Sequence, residues 1–243
     1  MSDNKHLKRA HKAKNDEFYT RYEDVKKYFD PVKRLPEKIY CPFDSAQSAF
    51  VRYFQERGCQ VRYTPNDGRD WFAEDHKEDL AWCDIVITNP PFSRLREFID
   101  VLDSTLYPRI VQYHIIVPVT YFSTIQSGRE LLHGRRVSQR GPSHFSNTEK
   151  TVGTYWFGVF MKDRKEYIPT YTADNYPHRV SDDGKIIIDH VKDIPSGIKS
   201  GETIYVPINA VEYMYHDYVF TGETYIPYVN KKVVFKRIGL KKI

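Results

Sequence analysis

The chain has 243 residues, of which 40% are hydrophobic and 28% charged, and its formal net charge at pH 7 is +5. This balance is typical of a folded globular protein and excludes a mainly disordered chain. No apolar run approaches the roughly 20 residues of a membrane span. The N-terminus also lacks the apolar segment of a secretory signal. We therefore expect a cytoplasmic protein, in a cell or encoded by a phage, without membrane contact.

The three cysteines, Cys41, Cys59 and Cys83, are odd in number and show no CxxC spacing. Each lies in or beside an apolar run, as core thiols do. The pattern favours reduced thiols over a disulfide framework or a metal site. No metal is predicted anywhere in the chain.

The first half of the chain alternates between helical and strand-like patterns after a basic arm at residues 1–14. Such alternation predicts a parallel sheet with crossover helices, which is a doubly wound α/β fold. One helix, SAQSAFVRYFQERG, offers Ser45 as its N-cap and Gly58 as its end. The predicted elements are a helix at Glu23–Phe29, a strand at Lys38–Asp44, this helix, strands at Cys59–Thr64 and Asp84–Thr88, a helix at Leu95–Leu102 and a strand at Gln112–Val119.

The segment from Arg129 to Lys150 is rich in arginine and glycine and has almost no apolar periodicity. We expect a basic loop that cannot bury itself and that orders on a polyanion. From about residue 150 the pattern becomes β-rich, which predicts antiparallel strands that extend the sheet or cover one end of it. The predicted division is a basic arm at 1–14, a core at 15–125 and a basic loop plus β-rich half at 126–243.

The strand DIVIT runs directly into the corner Asn89-Pro90-Pro91-Phe92. In doubly wound sheets, ligands bind beyond the carboxyl ends of the strands, where this corner lies. The prolines fix the backbone and remove N–H donors, so carbonyl oxygens, the Asn89 amide and the Phe92 ring remain. These groups suit a flat aromatic ring that carries an exocyclic amine. The Asn89 side-chain oxygen and the Pro90 carbonyl can accept the two amine hydrogens, while Phe92 stacks on the ring.

This corner matches the [DNS]PP[YFW] signature of amino-methyltransferases. Together with HKAKNDEFYTRYEDVKKYF, KIYCPFDSAQSAFVRYF and GETIYVPIN, it resembles the EcoRI-type adenine-specific DNA methyltransferase family, of the γ class of amino-methyltransferases. The resemblance runs from about His11 to about Asn209. It implies a Rossmann-like, S-adenosylmethionine-dependent methyltransferase fold with a β-rich C-terminal elaboration. It also implies methyl transfer to the N6 amine of an adenine flipped out of duplex DNA, with Phe92 as stacking platform and Phe18 and Tyr19 in the wall.

The resemblance also implies where S-adenosylmethionine binds. Phe18, Tyr19 and Thr20 resemble the motif that holds the methionine end of the cofactor. CPFDSAQSAF stands where most methyltransferases carry a glycine-rich FxGxG sequence, and its polar residues and helix N–H groups can serve in its place. The implied cofactor-binding residues are Phe18, Tyr19, Thr20, Asp44, Ser45, Ser48, Asp70, Trp71 and Asn89. Asn66 and Asp67 are the candidates for the ribose-binding acid.

Two residue sets complete the predicted interactions. The corner supplies the catalytic residues Asn89, Pro90, Pro91 and Phe92. The predicted DNA contacts are Arg129, Arg135, Arg136 and Arg140. A restriction endonuclease is a conceivable counterpart that the sequence does not demonstrate.

Other functions remain open at this point. An RNA adenine-N6 methyltransferase would share the corner from Asn89 to Phe92. A catalytically inactive, nucleic-acid-binding protein of the same fold, as in anti-restriction, would explain the absent glycines. A protein-glutamine methyltransferase is disfavoured by the basic runs. For Asp70 and Trp71, a turn followed by buried aromatic residues is a structural alternative to cofactor binding.

Overall fold

The structure is a computed structural model, in which the chain divides into two compact units. The first comprises Met1–Pro118 and Arg140–Lys162, and the second comprises Val119–Gln139 and Asp163–Ile243. The structure describes residues 18–64, 70–103, 112–124, 127, 130–131, 135–159, 165–166, 179–191, 194–195 and 197–243. The basic arm, Asn66 and Asp67 lie outside the described residues.

Helices and strands alternate along the first unit, as the sequence pattern predicts. Two short 3₁₀ turns, Trp71–Ala73 and Phe92–Arg94, lie between them. The elements are α1 (Tyr22–Phe29), β1 (Lys38–Cys41), α2 (Ala49–Glu56), β2 (Gln60–Tyr63), α3 (Lys77–Trp82), β3 (Ile85–Thr88), α4 (Leu95–Asp103), β4 (Tyr113–Pro118), β5 (Arg136–Arg140), which spans the boundary between the units, and β6 (Thr154–Gly158).

The central sheet contains the neighbouring strands β2-β1-β3-β4-β6 within the first unit. Strands β1 to β4 pair in parallel, and β6 runs antiparallel to β4. The predicted parallel sheet is therefore confirmed, as is an antiparallel addition from the segment after residue 150. Gly158 is required at its position, because a Cβ atom there would lie 2.0 Å from the carbonyl oxygen of Tyr113.

The core of this unit is largely aromatic. Helices α1 and α2 bury Tyr28, Phe29, Tyr53 and Phe54 against the sheet. Strand β3 is buried at all four positions, as expected of an apolar parallel strand covered on both faces. The His114 imidazole stacks with Tyr28 and Trp156, and burial lowers its pKa to about 3, so it is a neutral core residue.

The helix predicted at residues 45–58 begins later than expected. Its N-cap is Ser48, whose hydroxyl accepts a hydrogen bond from the Val51 N–H at 3.4 Å. Ser45 is not the N-cap, because its carbonyl instead accepts from the Ser48 N–H at 2.9 Å in a preceding turn. Gly58 follows the helix end with a φ of 81°, in agreement with the prediction.

The second unit is β-rich and mostly antiparallel, which confirms that prediction. Its strands are β7 (Lys165–Glu166), β8 (Arg179–Val180), β9 (Ile186–Ile187), β10 (Thr203–Pro207), β11 (Tyr213–Met214), β12 (Tyr218–Tyr225), β13 (Tyr228–Val229), β14 (Lys232–Val233) and β15 (Arg237–Lys242). Its five-stranded sheet has the order β12-β15-β10-β9-β8, and within it the β9–β10 pair is parallel and the other described pairs are antiparallel. The short β7–β11 pair, outside this sheet, is also parallel.

The cysteines carry free thiols. Cys41 and Cys83 are buried and Cys59 is half-buried, which agrees with the prediction of reduced thiols. Within the described residues, no helix is long and apolar enough to cross a membrane.

Candidate active site

A cavity of about 340 Å³ lies where the strand order of the central sheet reverses, between the carboxyl ends of β1 and β3. Doubly wound sheets bind ligands at this kind of switch point. Most of the lining residues follow one of these two strands or precede α1. They are Phe18, Tyr19, Thr20, Phe43, Asp44, Ser45, Gln47, Ser48, Ala49, Phe50, Asn89, Pro91 and Ser146.

Thr88, the last residue of β3, connects the two strand ends. Its Oγ1 contacts the carbonyl oxygen of Pro42 and lies 2.9 Å from the Asp44 carboxylate. The hydroxyl has one hydrogen, so it donates either to the Pro42 carbonyl or to the Asp44 carboxylate, and the second arrangement favours the ionised carboxyl group. This buried threonine is a site residue that the strand prediction did not identify.

Asp44 is a buried carboxyl group in the wall of the cavity. Burial raises its pKa to about 7, although hydrogen bonds from Ser48 and Thr88 act in the opposite direction. Near neutral pH both protonation states are therefore accessible. A cationic group in the cavity would favour the ionised form.

Phe43 adopts a left-handed backbone conformation, with a φ of 67°, two residues after the end of β1. Such a conformation is unfavourable for a bulky residue and is characteristic of functional sites. The ring packs against Trp71 at 4.9 Å and Phe98 at 5.2 Å between centroids, which anchors the strained turn. No sequence pattern indicates this role, because phenylalanine stands where a glycine would normally mark such a turn.

Asn89 is fixed in orientation by its own hydrogen bonds. Its Nδ2 donates to the backbone carbonyl of Phe18 and, at 3.2 Å, to the hydroxyl of Thr20. A carbonyl oxygen can only accept, so the amide nitrogen must face Phe18. The amide oxygen is buried and has no hydrogen-bond partner within the described residues. Such a group requires an explanation, and an absent ligand donor is one.

Residues Phe18 to Thr20 are held in place by a segment more than 120 residues away in the sequence. The Tyr19 N–H donates to Asn147 Oδ1 at 2.9 Å, and the Ser146 N–H donates to the Tyr19 carbonyl at 2.9 Å. The Phe18 ring lies 5.1 Å from that of buried Phe145. Ser146 and Asn147 were missed in the sequence because they lie within the segment interpreted as a basic loop.

The remaining corner residues occupy different environments. Pro90 is buried and Pro91 lines the cavity. Phe92 is half-buried, its ring centroid 5.0 Å from that of Phe18, and it does not line the cavity. The structure therefore brings Asn89 and Pro91 together with Phe18, Tyr19, Thr20, Asp44, Ser45 and Ser48. Stacking of a base on Phe92 stays a prediction.

Asp70 and Trp71 do not line this cavity. Asp70 accepts from the Phe72 N–H at 3.1 Å and from Arg94 at 2.6 Å. Trp71 is buried, and its indole donates to the Tyr40 hydroxyl and stacks on His76. The structure thus shows the arrangement of a turn followed by a buried aromatic residue, and cofactor binding by this pair stays a prediction.

The basic segment differs from the expected exposed loop. Strand β5 occupies its middle, and Val137 and Phe145 are buried, so the expectation that the segment cannot bury itself is wrong. Arg135 is buried too, with its Nε 3.9 Å from Glu130. Arg140 is exposed, as a DNA contact would require. Arg129 and the side chain of Arg136 lie outside the described residues.

A mixed α/β unit with a parallel sheet and a cavity at its switch point is compatible with a methyltransferase fold. Two curated relatives agree with this class. The Type II methyltransferase M.MgeORF184P of Mycoplasma genitalium is 32% identical over an alignment that covers 40% of this chain and 40% of the relative. The Type II methyltransferase M.EcoRI of Escherichia coli is 26% identical, over 41% of this chain and 45% of the relative.

The chain spans less than half the length of these curated relatives. No protein-family model and no solved structure matches it. The two similarities support a relationship with Type II methyltransferases, without assigning the EcoRI-type class.

Proposed function

We propose that this chain is an S-adenosylmethionine-dependent DNA methyltransferase that modifies the N6 amine of adenine in duplex DNA. The similarity to two Type II methyltransferases supports methyl transfer. The observation that carries the proposal is the buried, unpartnered amide oxygen of Asn89 at the end of β3. The choice of adenine rests on the family resemblance in the sequence.

Asn89 would accept a hydrogen bond from the target amine. Because Phe18 and Thr20 hold its Nδ2, the side chain cannot rotate to present a donor instead. Together, the Asn89 oxygen and the Pro90 carbonyl would accept both amine hydrogens and draw them out of the ring plane. The nitrogen lone pair then leaves conjugation with the ring, so the nitrogen becomes a better nucleophile. A preorganised group of this kind acts without reorganisation during the reaction.

The wall formed after β1 fits the charged end of S-adenosylmethionine. Asp44 offers a carboxyl group that becomes an anion when paired with the ligand's ammonium group. Ser45 and Ser48 line the same wall beside the N-terminus of α2, where a carboxylate is favoured. The cavity volume is in the lower part of the range of small-molecule sites, roughly 300–1,000 Å³. When bound, S-adenosylmethionine supplies an electrophilic methyl group.

The target base must leave the duplex for its amine to reach Asn89. In the proposed complex, Phe92 stacks on the flipped adenine and Phe18 supports the Phe92 ring, which it already contacts. Exposed Arg140 is available for a phosphate contact. Arg135 is a weaker candidate because its side chain is buried near Glu130.

The test is a methyl-transfer assay with labelled S-adenosylmethionine on duplex DNA and, in parallel, on RNA of the same sequence. Sequencing of modified bases in DNA from cells that express the chain then identifies the target atom and site. We expect N6-methyladenine in duplex DNA with the wild-type chain and none with Asn89→Ala. Methylation of RNA alone, or of cytosine, would contradict the proposal. Cofactor binding without any transfer would indicate a binding protein.

A further inference from the structure

A basic hairpin in the second unit combines exposed apolar side chains with lysines. We define the basic hairpin as residues 226–236, IPYVNKKVVFK, which include β13 and β14. The segment contains three lysines and no acidic residue. Lys231 and Lys232 are exposed at its tip.

The apolar side chains of the basic hairpin are unusually exposed. Ile226 is 49% exposed, Tyr228 51%, Val233 62% and Phe235 86%. These are half of the eight large hydrophobic side chains that are exposed in the described part of the chain. Such a concentration indicates an interaction surface rather than scattered surface residues.

Asp182 connects the hairpin tip to a neighbouring turn by hydrogen bonds. Its carboxylate accepts from the backbone N–H groups of Asn230 and Lys231, each at 2.9 Å. Its own N–H donates to the carbonyl of Tyr228 at 2.8 Å. The tip is thus tied to the turn between β8 and β9, and little conformational freedom remains to be lost on binding.

Lys231 occupies a position at which glycine is preferred. Asn230 and Lys231 have φ angles of 53° and 59°, as the two central residues of a type I′ turn do. Asparagine tolerates this conformation, but lysine is strained in it. Folding alone would favour glycine here. A lysine at this site therefore points to a function for its charge.

Phe235 is also presented from a fixed backbone. Its carbonyl accepts from the buried guanidinium of Arg237 at 2.7 Å, and the Arg237 side chain further contacts Asp189 at 3.1 Å. The ring is nevertheless almost fully exposed. An aromatic ring on a fixed backbone, in a segment that contains three lysines, can press against bases while the cations contact phosphates.

We propose that the basic hairpin is a duplex-DNA contact, with Lys231 and Lys232 on phosphates and Phe235 against the bases. The inference rests on the proposed function, because it names the surface that grips the methylated substrate. The charge distribution distinguishes DNA from a second copy of the chain. Lysine is depleted from the cores of protein interfaces, and two copies of this positive segment would repel each other.

The sharpest test is Lys231→Gly. Glycine fits the turn without strain, so the midpoint of thermal unfolding should rise. Affinity for duplex DNA, measured by fluorescence anisotropy at several salt concentrations, should nevertheless fall. Combined with Lys232→Ala, the slope of log affinity against log salt should decrease by about 0.9 for each lost phosphate contact. The matched control is Lys199→Ala with Lys241→Ala, which removes two exposed charges elsewhere in the same unit.

Phe235→Ala tests the aromatic contact separately. Affinity for duplex DNA should fall about tenfold with little change in salt slope, because a base contact and no charge is lost. Val219→Ala, at another exposed apolar position, serves as the control and should have no effect. Calorimetric affinity for S-adenosylmethionine should be unchanged in every variant.

The outcomes separate this inference from the proposed function. If the wild type methylates DNA and the hairpin variants keep its affinity and salt slope, the hairpin assignment is wrong and the proposed function stands. If the wild type neither binds nor methylates duplex DNA, both fail. A dimer that Phe235→Ala dissociates in sedimentation, or binding to anionic vesicles without a DNA effect, would also overturn the hairpin assignment.

Discussion

The corners after β1 and β3 lie at the same edge of the sheet and present different chemical groups to the cavity. After β1, the chain places an ionisable group, Asp44, beside a strained residue, Phe43. After β3, it places a neutral amide, Asn89, on a backbone stiffened by two prolines. Thr88, the last residue of β3, contacts Pro42 and Asp44 in the corner after β1 and so connects the two corners.

The difference follows from what each corner would bind under the proposed function. A carboxyl group whose pKa lies near 7 can become an anion when a cation arrives, so it suits the charged end of a cofactor. An amide cannot change its charge, so Asn89 suits a neutral amine whose hydrogens must be accepted in a fixed direction. One corner therefore provides binding energy that responds to pH, and the other provides orientation.

The neutral corner should matter most for the rate of methyl transfer. Asn89→Ala should reduce the rate of methyl transfer on the order of 10²–10³-fold, because a preorganised acceptor is lost. Affinity for S-adenosylmethionine, measured by calorimetry, should stay close to that of the wild type. Turnover near the wild-type rate would refute the assignment of Asn89.

Two further variants separate the acceptor role of Asn89 from its orientation and control for the substitution itself. Asn89→Asp keeps acceptor oxygens but loses the donor to the Phe18 carbonyl, so its loss in rate should be smaller than that of Asn89→Ala. Asn209→Ala, at an exposed asparagine in the second unit, should leave the rate unchanged. Equal losses in Asn89→Asp and Asn89→Ala would show that orientation by Phe18 matters as much as the acceptor.

The ionisable corner should control cofactor affinity. Asp44→Asn removes a charge-assisted hydrogen bond, worth about 1.5–3 kcal/mol, and should weaken S-adenosylmethionine binding roughly 10- to 100-fold at pH 8. In the wild type, affinity should fall as pH drops below about 7, where Asp44 becomes protonated. The variant should show no such dependence between pH 6 and 8. A pH dependence that survives in Asp44→Asn belongs to another group.

Asp44 should also make the free energy of unfolding depend on pH in the absence of cofactor. Its pKa is raised from 3.8 to about 7, so the folded state binds an extra proton between these values. Stability from this group is fully present below pH 4 and is lost as pH rises through about 7, with a slope of at most about 1.4 kcal/mol per pH unit. Urea unfolding of the wild type and Asp44→Asn at pH 5, 6 and 7 should show a decline confined to the wild type.

The sequence predicted those parts of the fold that depend on local patterns. Alternating apolar strands and amphipathic helices predicted the parallel sheet, and the proline corner marked Asn89 at the end of β3. Tyr19 and Asp44 were predicted by resemblance, and both line the cavity. These features depend on residues close together in the chain, so their pattern is visible without the fold.

Contacts between residues that are far apart in the chain could not be predicted from the sequence. Ser146 and Asn147 hold Tyr19 from more than 120 residues away, and no local pattern links them. Arg135 was grouped with exposed cations because composition does not show that Glu130 lies close to it in the fold. The grouping of Arg140–Lys162 with the first unit likewise joins segments that are far apart in the chain.

The smallest effect concerns the strain at Phe43 in the ionisable corner. Phe43→Ala and Phe43→Gly both lose the ring contacts with Trp71 and Phe98, so both should be less stable than the wild type. Alanine keeps the unfavourable left-handed conformation and glycine does not, so the glycine variant should be the more stable of the two by about 1 kcal/mol in urea unfolding. Val51 lies in the first turn of α2, where the backbone is helical, so Val51→Gly should be less stable than Val51→Ala, the reverse order. Equal stability of the two Phe43 variants would mean that the turn after β1 relaxes once the ring is gone. The ring contacts of Phe43 would then impose the left-handed conformation, and the contact between Thr88 and Pro42 would not be enough to maintain it.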